Sequence, residues 1–159
     1  MAKSATNSKH KLTTYVPWIL YGLAILLTIY LVGQGATFWR GYLRALVLFN
    51  VGIQGIWAAI GHLLYSEAAA KCIGWTSSPF QKEMGVCNLA IGITGILSFF
   101  MTNWLMPVAL IAAILYVGCV WIHIRERVVR KNKASCNSGP MLYNTILVCA
   151  SLFLCIIAY

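Results

Sequence analysis

The sequence predicts an all-α transmembrane bundle with five membrane-spanning helices, and two observations carry this prediction. Hydrophobic residues make up 60% of the 159 residues and charged residues only 9%, against about 25% charged residues in an average soluble domain. The charges also fall in short stretches between long uncharged segments. Free-standing soluble enzymes, disordered tails and secreted disulfide scaffolds are therefore disfavoured, and the length fits one integral membrane domain over residues 1–159.

The uncharged segments define the helices in order. A helix needs roughly 20 apolar residues to cross a bilayer. The first, second and fourth segments each hold one crossing, whereas the third, over residues 84–124, holds two with a polar turn before Pro107. Open strands cannot cross lipid with unpaired backbone groups. The predicted helices cover about 15–33, 43–65, 79–100, 105–124 and 141–159, with loops at 66–78 and 125–140.

The first helix has one alternative, which is cleavage as a signal peptide. A basic segment precedes it, and the small residues Gly33, Gly35 and Ala36 follow it. Its apolar run is longer than that of a usual signal peptide, and Gln34 fits a cleavage site poorly. The sequence favours five helices; cleavage would leave four in the same orientation.

The basic residues predict the orientation of the bundle. With the N-terminus inside, ten Lys and Arg residues fall on the inner side, and only Arg40 and Arg44 fall on the outer side. This asymmetry follows the positive-inside rule and places the C-terminus, Tyr159, outside. The inner residues are Lys3, Lys9, Lys11, Lys71, Lys82, Arg125, Arg127, Arg130, Lys131 and Lys133.

A net charge of +9 also suits nucleic-acid binding, but topology explains it better. The basic residues are spread over loop ends, and the densest run, residues 125–133, would lie beside anionic lipid headgroups. We therefore expect the lipid bilayer as the partner and no nucleic acid. A membrane-protein partner or a homo-oligomer stays open.

The six cysteines do not indicate a disulfide framework. None forms a C-x-x-C pair, and the predicted topology places Cys72 and Cys136 in the reducing cytoplasm, where structural disulfides are rare. The other four cysteines lie in helices, where a cysteine usually acts as a small packing residue.

Small residues predict how the second and third helices pack. Gly52, Gly55 and Ala59 form one stripe, and Gly85, Asn88, Gly92 and Gly95 form another. Small faces allow close approach in membranes, and an Asn among them can form a hydrogen bond across the interface. The third helix should begin with a capping box, in which Ser78 is the N-cap and Gln81 closes the box after Pro79.

The polar residues of the helices gather at the predicted cytoplasmic end. All three acidic residues of the protein, Glu67, Glu83 and Glu126, lie there. Ionisable groups at membrane depth are costly and often functional. We expect a polar cluster that binds a small ligand or organises packing; its residues are His62, Glu83, Asn88, His123 and Glu126.

Three interpretations of this cluster are open. It could bind a small molecule or carry protons, His62, Glu83 and His123 could ligate a metal, or the acids could simply pair with neighbouring Lys and Arg in headgroup water. No known catalytic or nucleotide-binding motif is present, so the cofactor is unknown. Besides a ligand-binding membrane protein, a metal- or quinone-dependent membrane oxidoreductase and an accessory or structural subunit of a membrane complex are the alternatives. A transporter is disfavoured because no inverted repeat is visible.

Several short patterns resemble a family of small prokaryotic multi-pass membrane proteins that is known only as a domain of unknown function. The patterns are GIWAAIGH at 55–62, IGW at 73–75, SPFQKEMG at 78–85, NLA at 88–90, HIRE at 123–126 and NSGPMLY at 137–143. The resemblance implies a small helical bundle in a bacterial or archaeal inner membrane, and it implies no activity or cofactor. Where the family carries an acidic residue shortly after the Leu-Tyr pair, this chain has Asn144 and Thr145.

By this resemblance, seven positions of the chain correspond to the family's motif residues. They are His62, Trp75, Gln81, Glu83, Asn88, His123 and Glu126.

Overall fold

The computed structural model describes residues 2–159 and the side chains of residues 14–159. Every regular element in this part of the chain is helical. The elements are α1 Ala2–Gly33, α2 Phe38–Leu46, a π-helix Val47–Ile53, α3 Gln54–Leu64, α4 Ser66–Ile73, α5 Pro79–Phe100, a 3-10 turn Thr102–Trp104, α6 Leu105–Val129, α7 Ser135–Ser138 and α8 Pro140–Ala158.

Among the described residues, five stretches are long and apolar enough to cross a membrane, which confirms the all-α bundle and the number of predicted helices. They are Thr14–Gly33, Phe38–Leu64, Pro79–Phe100, Thr102–Val129 and Ser135–Ala158. We call them the first to the fifth span. Three boundaries differ clearly from the prediction: α1 begins at Ala2, the second span begins at Phe38 and α6 continues to Val129. Charged side chains do not stop a helix, whereas the prediction placed the boundaries by the extent of the uncharged segments.

The second span contains a feature that the sequence pattern did not show. Its middle, Val47–Ile53, is a π-helix between α2 and α3. Such wider turns disturb the regular backbone hydrogen bonds of an α-helix. The backbone carbonyl of Asn50 accepts a 2.6 Å hydrogen bond from the Tyr116 hydroxyl. The fourth span therefore supplies a partner to the second span where its backbone pattern changes.

The two regions predicted as loops contain short helices that pack against each other. Helix α4 ends at Ile73 and is followed by Gly74, which has φ +81°. The Gly74 N–H donates to the carbonyl of Lys71, and the Trp75 N–H donates to the carbonyl of Ala70. This is a Schellman ending, which favours glycine at the left-handed position. Because α4 and α7 lie together, we call this region the α4/α7 end of the bundle.

Glycines bring the second and third spans into close contact, as predicted. A Cβ at Gly92 would lie 2.8 Å from the Ile56 nitrogen, one at Gly55 would lie 2.9 Å from the Gly92 Cα, and one at Gly95 would lie 2.9 Å from the Gly52 Cα. No side chain larger than hydrogen fits at these distances, so the backbones touch.

Two hydrogen bonds expected near this interface are wrong. Asn88 donates to the carbonyl of Met84 in its own helix at 2.8 Å, so it does not bridge the spans. Ser78 is the N-cap of α5 but forms no side-chain capping bond. Gln81 donates instead to the carbonyl of Ser66 at 2.7 Å. It therefore ties the start of α5 to the start of α4, because α4 stands where a loop was expected.

The apolar core lies between the second, fourth and fifth spans. It is formed by small and branched side chains that are fully or almost fully buried, among them Leu46, Val51, Ala112, Val148 and Leu152. Long hydrophobic side chains elsewhere remain exposed, as on the lipid-facing side of a transmembrane bundle. The core thus lies beside the glycine contact of the second and third spans, not within it.

Candidate functional site

The five residues expected to form one polar cluster are distributed over three places at or near the α4/α7 end. His123 and Glu126 belong to a polar assembly between α4, α6 and α7. His62 lines a separate apolar groove. Glu83 and Asn88 lie on α5 and belong neither to the polar assembly nor to the groove.

The polar assembly is built around His123. The His123 Nδ1 and the Asn137 Oδ1 are 2.7 Å apart, and because an amide oxygen only accepts, Nδ1 carries the hydrogen. The ring stacks on the Trp75 ring with centroids 5.4 Å apart and planes within 5°. Asn137 is fully buried, and its amide nitrogen lies 3.0 Å from the Ser138 hydroxyl and 3.3 Å from the Asn132 carbonyl. His123 and Asn137 thus fix one another.

Glu126 extends this assembly toward solvent. Its carboxylate accepts a 3.3 Å hydrogen bond from the Trp75 indole and pairs with Arg130 at 3.1 Å. The Arg130 side chain is 71% exposed, whereas that of Glu126 is 13% exposed. Exposed ion pairs contribute little stability, so the hydrogen bond that orients Trp75 is the more consequential contact of Glu126.

A depression of about 600 Å³ lies over this assembly. Most of its lining residues already take part in the contacts between the segment that follows α4 and the end of α6 with the segment that follows it. They are Gly74, Trp75, Thr76, Glu126, Arg130 and Asn132. Asn132 donates to the carbonyl of Ile73 at 2.9 Å. The residues around this depression therefore join α4 to the segment after α6.

The apolar groove is smaller, about 370 Å³, and is lined mainly by carbon-rich side chains. It lies between α3, α4, α7 and the start of α8. Its lining residues are Trp57, Ala58, Ile60, Gly61, His62, Tyr65, Ala68, Ala69, Cys72, Ile73, Cys136 and Met141. Ligand sites in proteins are typically of about 300–1,000 Å³, mostly apolar, with a few polar groups.

His62 is the polar ring of this groove. Its Nδ1 is buried and has no hydrogen-bond partner. A buried acceptor without a partner is better tolerated than a buried N–H without one, so the hydrogen belongs on Nε2. The neighbouring span approaches closely here, since a Cβ at Gly85 would lie 3.1 Å from the His62 Cβ. His62 therefore offers the groove one N–H donor in an apolar setting.

A disulfide lies in the same groove, and the expectation that the cysteines are unpaired is wrong for this pair. Cys72 of α4 and Cys136 of α7 are bonded, with their Cα atoms 5.3 Å apart. The two residues are 64 positions apart in the sequence, and only the packing of α4 on α7 brings them together. Among the described residues the other four cysteines, Cys87, Cys119, Cys149 and Cys155, are free.

The remaining two candidates do not join a site in this structure. Glu83 is exposed and has no hydrogen-bond or ion-pair partner among the described side chains. One interpretation of the sequence is that His62, Glu83 and His123 could ligate a metal. Within residues 14–159, whose side chains are described, no three His, Cys, Asp or Glu residues form a group that could hold one.

Sequence reasoning missed two buried polar groups within the bundle. Fully buried Asn50 and Asn144 both donate to the carbonyl of Pro17 at 3.3 Å, which joins the first, second and fifth spans. Near the opposite end, the Tyr42 hydroxyl lies 2.6 Å from that of Tyr21 and donates to Ser151 at 2.9 Å. An uncharged polar residue inside an apolar span could have indicated these contacts, because such residues form hydrogen bonds with other helices.

The comparisons identify a family but no activity. A model of a family of unknown function (DUF6790) matches residues 12–159. No curated protein and no solved structure matches the chain.

Proposed function

The chain belongs to this family of unknown function, and we propose from its structure that it binds a small, largely apolar molecule in the groove lined by His62. The family resemblance predicted from the short motifs is confirmed, and five apolar helices fit a multi-pass membrane protein. The family supplies no ligand, so the proposal depends on the groove alone.

One observation carries the proposal: the imidazole of His62, whose buried Nδ1 has no partner, lines a groove whose other surfaces are mainly apolar. In water an imidazole N–H is satisfied by solvent, but in an apolar setting an unpaired polar group costs free energy. A ligand with a hydrogen-bond acceptor on an apolar body would satisfy His62 and would also cover the ring systems of Trp57 and Tyr65. Aromatic rings of this kind favour the interface of a bilayer with water.

The other candidates of the predicted cluster receive supporting roles in this proposal. His123 and Glu126 hold Trp75 and Asn137 and thus the connecting segments that form one wall of the groove. Glu83 and Asn88 do not line the groove. We therefore propose His62 as the ligand contact, and we propose no metal.

The cellular location is part of the same proposal. We propose a prokaryotic inner membrane, which is what the motif resemblance implies. Ten basic residues on one side against two on the other support a cytoplasmic N-terminus and hence a cytoplasmic α4/α7 end. Lys3, Lys9 and Lys11, which contribute to that count, lie outside the described side chains. Charged segments such as residues 125–133 would then contact anionic headgroups.

Native mass spectrometry of the protein, purified in a mild detergent with its co-extracted lipids, tests the proposal. We expect a bound small molecule in the wild type. Ala69→Phe should remove it because the new ring fills the groove, whereas Ala90→Phe, on an exposed part of α5 outside the groove, should keep it. A wild type without a small molecule, or the same molecule bound to Ala69→Phe, would contradict the proposal.

A further inference from the structure

The groove contains more than a binding surface, because both sulfur atoms of the bonded pair Cys72–Cys136 belong to residues that line it. A disulfide and its two thiols form a couple that exchanges two electrons and two protons. His62 lines the same groove. An apolar cavity, a hydrogen-bond donor and a two-electron couple therefore share one surface.

The position of this disulfide indicates that it opens and closes. The distribution of basic residues supports a cytoplasmic location for α4 and α7. Thiol reductants keep structural disulfides reduced in that compartment, and disulfides found there are usually transient and catalytic or redox-sensing. A permanent clamp would be an unusual use of a disulfide on this side of the membrane.

The two sulfur atoms stay close when the bond is open, because other contacts hold α4 against α6 and α7. Asn132 donates to the Ile73 carbonyl at 2.9 Å, next to Cys72 in the sequence. The Trp75 ring stacks on the His123 ring. His123 forms a hydrogen bond with Asn137, which is next to Cys136 in the sequence. The pair can therefore cycle without unfolding this end of the bundle.

The two cysteines differ in access to the reagents they would meet. Cys72 is half-buried, and its sulfur lies 3.8 Å from the Ser135 hydroxyl, whereas Cys136 is only 8% exposed. Attack by an incoming thiolate is easier at the more accessible sulfur. Cys72 therefore meets the external thiol, and Cys136 leaves as the thiolate within the groove wall.

We infer that the groove is a thiol–quinone oxidoreductase site, in which a membrane quinone reoxidises the Cys72/Cys136 dithiol. This inference rests on the proposed function, since the quinone is the small apolar molecule that the groove binds. A quinone is a lipid-soluble carrier of two electrons and two protons, which matches what the dithiol releases. Its carbonyl oxygen accepts a hydrogen bond from His62 Nε2–H, and its planar ring lies among apolar and aromatic side chains.

The reaction balances in two half-reactions. An external dithiol attacks Cys72, the Cys72–Cys136 bond breaks, and a second external thiol releases Cys72, which leaves two protein thiols and an oxidised external disulfide. The Cys136 thiolate then adds to the quinone ring, and Cys72 attacks the Cys136 sulfur. The disulfide re-forms, the sulfur–carbon bond breaks, its electron pair passes to the ring, and the two thiol protons end on the quinone oxygens.

The test uses full-length protein in detergent, reduced with dithiothreitol, freed of excess reductant and mixed anaerobically with a short-chain ubiquinone. We expect the loss of the quinone's ultraviolet absorbance to stop at one quinone per protein, together with the disappearance of two alkylatable thiols. Cys87→Ser, which removes an exposed cysteine outside the groove, should behave as wild type. Cys136→Ser should give no turnover with dithiothreitol as the continuous reductant.

Two variants that keep both cysteines separate quinone binding from folding defects. His62→Leu should raise the KM for the quinone about three- to tenfold, the effect of losing one hydrogen bond. Ala69→Phe should slow oxidation by quinone while leaving reduction by dithiothreitol at the wild-type rate. Equal quinone oxidation rates in wild type and Ala69→Phe would overturn the inference, because the reaction would then not depend on the groove.

The outcomes distinguish this inference from the proposed function beneath it. If a small molecule binds in an Ala69-dependent manner but the reduced pair is not oxidised by the quinone, the binding function stands and the redox inference is wrong. If nothing binds, both are wrong. If the pair resists dithiothreitol in folded protein, the disulfide is a structural clamp and the redox inference is wrong.

Discussion

The Tyr116 hydroxyl donates a 2.6 Å hydrogen bond to the backbone carbonyl of Asn50, which lies in the π-helix of the second span. The contact joins residues 66 positions apart and is fully enclosed by the bundle. It connects the fourth span to the one place where the second span departs from α-helical geometry. The Tyr116 hydroxyl therefore supplies a hydrogen-bond donor to a backbone carbonyl within the π-helix.

Removal of this hydroxyl should weaken the bundle. Tyr116→Phe leaves the Asn50 carbonyl without the tyrosine donor in an apolar interior, and we expect a loss of about 1–3 kcal/mol in the free energy of unfolding. The measurement is unfolding in mild detergent, followed by circular dichroism. Tyr30→Phe is the control, because Tyr30 is 62% exposed and should change little. Equal losses of unfolding free energy in Tyr116→Phe and Tyr30→Phe would show that the hydrogen bond to Asn50 does not stabilise the bundle.

A methyl group at Gly92 should disturb the contact of the second and third spans. The new Cβ would lie 2.8 Å from the Ile56 backbone nitrogen and 3.0 Å from the Gly52 oxygen, so the spans must move apart. Forced insertion of this kind costs about 1–3 kcal/mol. Gly118→Ala is the matched control, since no atom lies within 4 Å of its added Cβ; it should be neutral or stabilising. A destabilised Gly118→Ala with an unchanged Gly92→Ala would reverse the packing argument.

The loss of the Asn137 side chain should loosen the polar assembly. Asn137→Ala leaves the half-buried His123 N–H without its 2.7 Å acceptor and leaves the Asn132 carbonyl with the Ser138 hydroxyl as its remaining donor. We expect a loss of about 1–3 kcal/mol in unfolding free energy and faster hydrogen exchange in residues 130–138. Asn103→Ala, at an exposed position in the turn before α6, serves as the control. Unchanged exchange in Asn137→Ala would show that the segments are held by other contacts.

The predicted orientation is testable in cells. A phosphatase fused after Tyr159 should be active only if the C-terminus lies outside, because this enzyme requires an oxidising compartment. The same fusion after Lys133, in the segment between α6 and α7, should be inactive. The reverse pattern would show that the α4/α7 end faces outward, and the Cys72–Cys136 bond would then have the ordinary setting of a structural disulfide.

The sequence by itself determined the all-helical membrane architecture, the number of spans and the glycine contact. These features are local: whether a stretch such as residues 105–124 enters lipid depends on the hydropathy of roughly 20 consecutive residues. A stripe such as Gly92 and Gly95 likewise indicates close approach through the absence of side chains. The start of α5 at Pro79 and the turn before α6 follow from equally local rules.

Only the tertiary structure decided which polar residues meet. His62 and His123 lie at comparable depth in the sequence pattern, yet one lines an apolar groove and the other stacks on Trp75. Cys72 and Cys136 are bonded across 64 positions, and Gln81 donates to a carbonyl at the start of a neighbouring helix instead of capping its own. The physical reason is that helical periodicity gives each side chain a direction around its own axis, but the rotation of neighbouring helices and the folding of α4 on α7 determine what it faces.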